Sequence, residues 1–98
     1  MSTLVTKFNE LKYGEFSKGQ TRAGFCRIIL LLKPSVYLKI VWEIITTVVM
    51  YSPSVNTFMK DIISSIEGKW NTLTETEQNN IVAALARLNK RCKVEKYL

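Results

Sequence analysis

Residue types able to do chemistry are scarce in this sequence, and their spacing matches no catalytic or metal-binding motif. Histidine, the most frequent general base near neutral pH and the commonest metal ligand, is absent from all 98 residues. The two cysteines, Cys26 and Cys92, are too few for a zinc site and their spacing matches no redox motif. We therefore expect no metal, and we interpret each cysteine as a small buried hydrophobic residue.

The carboxylates and glycines lack a catalytic arrangement as well. Glu75 and Glu77 lie two residues apart, so on a helix they point to different faces, and helix capping explains them better. Gly19 and Gly24 have the four-residue gap of a phosphate-binding loop, but the Lys and Ser or Thr that complete such a loop do not follow. We predict that the protein is not an enzyme of ordinary type and binds no cofactor.

The charge balance of the chain indicates acidic partners. Lysine and arginine number 14 and aspartate and glutamate 8, a formal net charge of +6. Nucleic acid, an anionic membrane surface or an acidic protein would each suit this charge. Because cysteines are few and no basic-then-apolar signal segment opens the chain, we expect a reducing, cytoplasmic location.

The elements that must position any functional residues are predicted to be helices. A chain of 98 residues forms one core, and apolar residues recur at helical spacing along most of it. These features predict an all-α fold: a small four- to five-helix bundle in a single domain over residues 1–98. The first helix is expected after an N-cap at Ser2 or Thr3, with Gly14 ending it. Residues 14–20 are expected to form a loop.

Three further helices carry recognisable start or stop signals. A second helix is expected to start at an N-cap on Thr21 and to end near Leu32, before Pro34. Pro53 suits the first turn of another helix, whose apolar residues then follow three-and-four spacing up to Trp70. After a turn at 71–73, residues 74–77 read Thr-Glu-Thr-Glu, the sequence of a capping box that opens the last helix.

Residues 36–51 form an unusually apolar run. Four polar residues interrupt it and fall on one narrow stripe: Lys39, Glu43, Thr46 and Thr47. This pattern is expected of the central helix of a bundle, while a strand pair is the alternative because Ile, Val and Thr dominate residues 40–49. A transmembrane span over 23–51 is not expected, since charged residues and a proline interrupt the run too often.

The stretch 55–86 carries a recognisable succession of short motifs. One helix ends in Lys69-Trp70, a Leu73-Thr74 turn follows, and a helix bearing Gln78 leads to Ala-Leu-Ala at 84–86. This succession resembles a segment of the tail tape-measure proteins of long-tailed bacteriophages. That family usually continues with a Gly-Thr-Arg-Gln-like turn, whereas this chain has Arg-Leu-Asn-Lys at 87–90. The resemblance covers about a third of the chain and implies a phage or prophage origin.

Because the sequence lacks recognisable catalytic groups, the first hypothesis is a helical module that docks onto another protein, or onto a second copy of itself. It is motivated by large apolar residues beyond the needs of a small core, such as Trp42, Tyr51 and Trp70. Aromatic residues at helical spacing are more often core than contact residues. The predicted partner-binding residues are a turn and a basic tail: Trp70, Asn71, Thr72, Arg87, Arg91 and Lys93.

Two alternatives remain open. The first is a module that binds nucleic acid non-specifically, although helix-dipole stabilisation and solvated helix ends also explain its basic residues. Its two candidate surfaces are the C-terminal Arg87, Lys90, Arg91, Lys93 and Lys96 and the N-terminal Lys12, Lys18, Arg22, Arg27 and Lys33. The second is a peripheral membrane protein with residues 25–32 or 40–49 facing lipid. If the protein is encoded by a phage, its expected location is the cytoplasm of the host.

Overall fold

The computed structural model describes residues 3–11, 14–32 and 53–98. Within these ranges it contains four α-helices, two 3₁₀ turns and no strand. The elements in chain order are α1 (Leu4–Leu11), α2 (Lys18–Leu31), α3 (Pro53–Lys69), a 3₁₀ turn (Trp70–Thr72), α4 (Glu75–Cys92) and a second 3₁₀ turn (Val94–Tyr97). The predicted all-α bundle is confirmed, whereas the predicted helix or strand pair over 36–51, with Trp42 and Tyr51, lies outside the described residues.

Helix α1 begins as the sequence predicts. The Thr3 hydroxyl accepts a hydrogen bond from the Thr6 amide at 3.1 Å, which satisfies one of the first free N–H groups of the helix. The helix buries Leu4 and Phe8, one turn apart, in the core. Beyond its last residue, the Gly14 amide donates to the Leu11 carbonyl at 2.8 Å.

Helix α2 begins four residues earlier than predicted. Ser17, not Thr21, is its N-cap: the Ser17 hydroxyl accepts from the Gln20 amide at 3.1 Å, and the Gln20 side chain accepts from the Ser17 amide at 3.2 Å. This reciprocal capping box satisfies two donors at once, so the helix starts inside the predicted loop. Thr21 lies in the first turn, buried, with its hydroxyl donating to the Ser17 carbonyl at 3.3 Å. The predicted end near Leu32 is confirmed, since Leu32 is the C-cap.

Helix α3 follows the predicted amphipathic pattern and leads directly into a buried tryptophan. Its buried residues recur at three-and-four spacing: Met59, Ile62, Ile63 and Ile66. Trp70, in the 3₁₀ turn after α3, continues the same stripe and is 4% exposed. Its carbonyl accepts a hydrogen bond at 2.9 Å from the Gln78 side chain, which ties the turn to the start of α4.

Helix α4 is the central element of the described fold. Its predicted capping box is present, with the Thr74 hydroxyl accepting from the Glu77 amide at 3.2 Å and Glu77 accepting from the Thr74 amide at 3.0 Å. Every residue from 81 to 86 is buried, so this part of the helix is enclosed on all sides. α2 makes the most extensive packing on α4, and α1 also packs on it.

The chain leaves α4 through a turn that the sequence analysis does not predict. Lys93 adopts a left-handed backbone conformation with φ 47° and ψ 63°, and its amide donates to the Asn89 carbonyl at 3.2 Å. The Asn89 side chain then donates to the Glu95 carboxylate at 2.9 Å and accepts from the Glu95 amide at 3.1 Å. This clasp holds the second 3₁₀ turn and places Val94 fully in the core.

Candidate docking surface on the second helix

Helix α2 has apolar residues on two opposite sides. Its packed side contains Thr21, Gly24 and Ile28, which are buried against the rest of the bundle. Its other side contains four uncharged residues that are all exposed and lie four, three and four positions apart: Gly19, Ala23, Cys26 and Leu30. At 3.6 residues per turn this spacing aligns them along one line of the helix, which we call the outer face.

Leu30 is the residue that makes the outer face unusual. Its side chain is 73% exposed, and it is the one large hydrophobic residue exposed to this degree among the residues whose burial the structure describes. Single exposed apolar residues are common on protein surfaces, but here the leucine continues a line of small apolar residues. The outer face is therefore an uncharged strip along the exposed side of α2.

A close helix crossing fixes which side of α2 faces outward. A Cβ atom placed on Gly24 would lie 1.9 Å from the Asn80 carbonyl oxygen and 2.9 Å from the Ala84 Cβ. Only glycine can occupy this position without moving the backbone of α4. The buried residues Thr21, Gly24 and Ile28 together lie opposite the outer face on the helix. The contact of Gly24 with α4 therefore turns the outer face to the exterior.

An ion pair joins α2 to the capping box of α4. The Arg27 guanidinium contacts the Glu77 carboxylate, and the Arg27 Nε is buried without a hydrogen-bond partner among the described residues. The pKa of Glu77 is lowered, first by its hydrogen bond with the Thr74 backbone and then by the positive charge of Arg27, against an opposing effect of desolvation. Arg27 was predicted as part of an N-terminal basic surface, but its charge is directed to this carboxylate instead.

The borders of the outer face are basic. α2 contains three basic residues and no acidic one. Arg22, with Lys18 one turn before it, lies on one side of the outer face, and both are exposed. Arg27 lies on the other side and is partly exposed, at 38% for the side chain. The other two members of the predicted N-terminal surface, Lys12 and Lys33, lie outside the described residues.

Cys26 lies on the outer face with its side chain exposed. Its interpretation as a buried hydrophobic residue is therefore wrong. The physical reason is that α2 is apolar on both sides, so the sequence alone does not show which side packs against the core. The side chain of Cys92 is outside the described part of the structure.

The predicted partner-binding residues fall into two separate groups. Trp70 is buried in the core, so its ring is not a surface for a partner, while Asn71 and Thr72 beside it are exposed. Thr72 donates its hydroxyl to the Lys69 carbonyl at 2.6 Å, a contact that closes the turn. Lys93 lies at the opposite end of α4, whose 18 residues span about 27 Å. The structure does not bring these two groups together.

The C-terminal end of the chain is a second charged surface. Four basic residues there are exposed: Arg87, Lys90, Lys93 and Lys96. The side chain of Arg91 lies outside the described residues. Glu95 is the one acidic residue between 87 and 96, and its carboxylate accepts the hydrogen bond from Asn89. The Lys96 ammonium lies 5.1 Å from the centroid of the Tyr97 ring.

The comparisons with known proteins give no family for this chain. No protein-family model, no curated protein and no solved structure matches it. Among the described residues no cluster of three or more histidine, cysteine, aspartate or glutamate side chains is arranged to hold a metal ion. No helix of residues 3–11, 14–32 or 53–98 combines the length and the hydropathy that crossing a membrane requires. The surfaces of α2 and of the C-terminus are therefore the features on which a function is argued.

Proposed function

We propose that this protein is a non-enzymatic helical interaction module that binds another protein through the outer face of α2. The observation that carries the proposal is the exposure of Leu30 in line with Ala23 and Cys26, on the side of α2 opposite its core contacts. Burying a leucine side chain fully yields about 1.5–3 kcal/mol, so a partner that covers Leu30 would gain most of this free energy.

The rest of the bundle supports this use of α2 as a rigid platform. The capping box at Ser17 and the crossing at Gly24 hold α2 at a defined rotation on α4. A surface that is held rigid before binding loses less conformational entropy when the partner arrives. The outer face is therefore preorganised for docking.

The resemblance to tape-measure proteins supports a phage or prophage origin, with the host cytoplasm as the location. The resembling stretch, 55–86, forms α3 and much of the central helix α4. Helix α2 lies outside it. We therefore assign the resembling stretch to the scaffold and the outer face of α2 to the binding role.

Capture of a partner with matched variants tests the proposal. Tagged protein would be used to retain proteins from an extract of the native host, with the wild type compared with Leu30→Ser and with Glu67→Ser. Both positions are exposed, but Glu67 lies on α3, away from the outer face. We expect the wild type and Glu67→Ser to retain the same protein and Leu30→Ser to lose it. Equal retention by all three proteins, or no specific retention, contradicts the proposal.

A second candidate function is non-specific binding of nucleic acid. Its support is the exposure of Arg87, Lys90, Lys93 and Lys96 at one end of the molecule. Contacts of this kind to phosphates lose affinity steeply as salt rises. Filter binding of duplex and single-stranded DNA at low salt, with a Lys90→Gln/Lys93→Gln double variant, tests it. Retention that the variant weakens supports this function, and no retention at low salt removes it.

A further inference from the structure

The composition of the outer face and of its borders points to the kind of partner, an inference that rests on the docking function proposed above. We infer that the outer face of α2 binds an amphipathic α-helix of another protein, whose apolar stripe is bordered by acidic residues. The contact would be a close helix crossing over Ala23 and Cys26, with Leu30 packed at one end. Three observations carry this inference.

The first observation is the size of the residues along the outer face. Gly19, Ala23 and Cys26 have small side chains, and Leu30 is the single large one. Helices that cross at small residues approach closely, at the lower end of the usual 8–10 Å axial separation. The protein already uses such a crossing on the other side of α2, where Gly24 meets Asn80 and Ala84. A second helix is the shape that this strip of small residues fits.

The second observation is the charge along the borders. The exposed Lys18 and Arg22 lie on one side of the outer face, and α2 has no acidic residue. Arg27 lies on the other side, but its charge is already paired with Glu77. Acidic residues that border the apolar stripe of a partner helix would meet these charges, and such complementarity governs which partner is accepted. A second copy of α2 would instead bring basic residues against basic residues, which disfavours a homodimer through this face.

The third observation separates a helix from a lipid surface. Helices that lie in a membrane interface insert large residues such as Trp, Phe and Leu by about 5–10 Å. Three of the four residues on the outer face are too small to insert to that depth, and only Leu30 reaches out. A basic border would also suit anionic lipid, so the experiment needs a change that affects the two partners in opposite directions.

The substitution Ala23→Leu provides this change. Ala23 is exposed, so we expect the larger side chain to change the stability of the protein little. A leucine at this position would hold a partner helix away from α2 and weaken its binding. The same leucine would add apolar area to a lipid-facing surface and strengthen binding to a membrane. Thr76→Leu is the matched control, because position 76 is also exposed on a helix but lies on α4.

The probes are two synthetic helical peptides of about 18 residues, long enough to form a helix. Both carry the same stripe of alanine and leucine, bordered by glutamate in one peptide and by lysine in the other. Binding of the labelled peptides to the whole protein would be measured by fluorescence anisotropy. Co-sedimentation with vesicles of equal parts phosphatidylserine and phosphatidylcholine would be measured in parallel.

We expect the glutamate peptide to bind about tenfold tighter than the lysine peptide, with Ala23→Leu but not Thr76→Leu weakening it by a similar factor. Equal binding of the two peptides, no binding of either, or tighter binding to Ala23→Leu overturns the inference. Vesicle binding strengthened by Ala23→Leu also overturns it, in favour of lipid. If Leu30→Ser loses a captured protein while the peptides fail to discriminate, the docking function stands and only this inference falls.

Discussion

Arg27 of α2 and Glu77 of α4 form an ion pair in which the carboxylate also caps the helix that it belongs to. The same side chain thus stabilises the start of the central helix and attaches the helix that carries the outer face. The capping box of α4 and the ion pair therefore both act at the interface between α2 and α4. The orientation of α2 depends on this pair at one position and on Gly24 at another.

The pair predicts how stability changes in acid. The pKa of Glu77 is lower in the folded protein than its ordinary value of 4.5, so its ionised form stabilises the fold. This contribution is fully present above pH 4.5 and is lost as the pH falls through the folded pKa. Glu77→Gln, which keeps an acceptor for the cap, should lower stability above pH 4.5 and lose less on acidification than the wild type. Urea unfolding midpoints on both sides of pH 4.5 check this, and parallel pH profiles would contradict it.

Gly24→Ala should destabilise the protein strongly. The added methyl group would lie 1.9 Å from a backbone oxygen of α4, so one helix must move, and overpacking of this kind costs about 1–3 kcal/mol or more. Gly68→Ala is the matched control, because a Cβ on Gly68 meets nothing within 4 Å. At this helical position alanine should raise the free energy of unfolding by about 0.5–1 kcal/mol. Equal effects of the two substitutions in urea unfolding would refute the close crossing.

Lys93→Gly should stabilise the protein. A residue other than glycine costs about 1–2 kcal/mol in the left-handed conformation, and glycine is the residue most often found at this position after a helix. Part of this gain is offset by the greater freedom of glycine in the unfolded chain, which leaves up to about 1 kcal/mol. Lys90→Gly, also exposed but within α4, should instead lose about 1 kcal/mol. Thermal unfolding of both variants tests this prediction, which requires Lys93→Gly to raise the unfolding temperature and Lys90→Gly to lower it.

Trp70→Ala should lower the free energy of unfolding by about 3–5 kcal/mol, because a large buried side chain is removed. The exposed neighbour Asn71 provides the comparison, and Asn71→Ala should change stability by less than about 0.5 kcal/mol. Chemical unfolding of both variants is the measurement. A Trp70→Ala protein as stable as the wild type would restore the interpretation of Trp70 as a surface contact.

The sequence predicts α3 and α4 well because their signals are local. Pro53 starts α3, and the Thr74 capping box starts α4, in the structure as in the prediction. The predicted start of α2 at Thr21 is wrong because Lys18 and Gly19 interrupt the hydrophobic periodicity that marks a helix. The Ser17-to-Gln20 capping box is a sequence signal that could have located it.

The candidate site is harder to predict because it depends on tertiary packing. The spacing of Ala23, Cys26 and Leu30 is visible in the sequence, but Phe25, Ile28 and Leu32 offer an equally apolar side. Periodicity identifies both sides and does not choose between them. The choice is made by the approach of Gly24 to α4, which involves residues more than fifty positions apart. The burial of every residue from 81 to 86 likewise depends on the helices that pack around α4, so it is a tertiary feature and not a local one.

The free energy of unfolding of Leu30→Ser tests most directly whether the outer face of α2 is free for a partner. Because the Leu30 side chain is largely exposed, the account predicts a change within about 0.5 kcal/mol of the wild type. A loss of about 2 kcal/mol or more would contradict the account, because it would show that the protein's own chain covers this leucine.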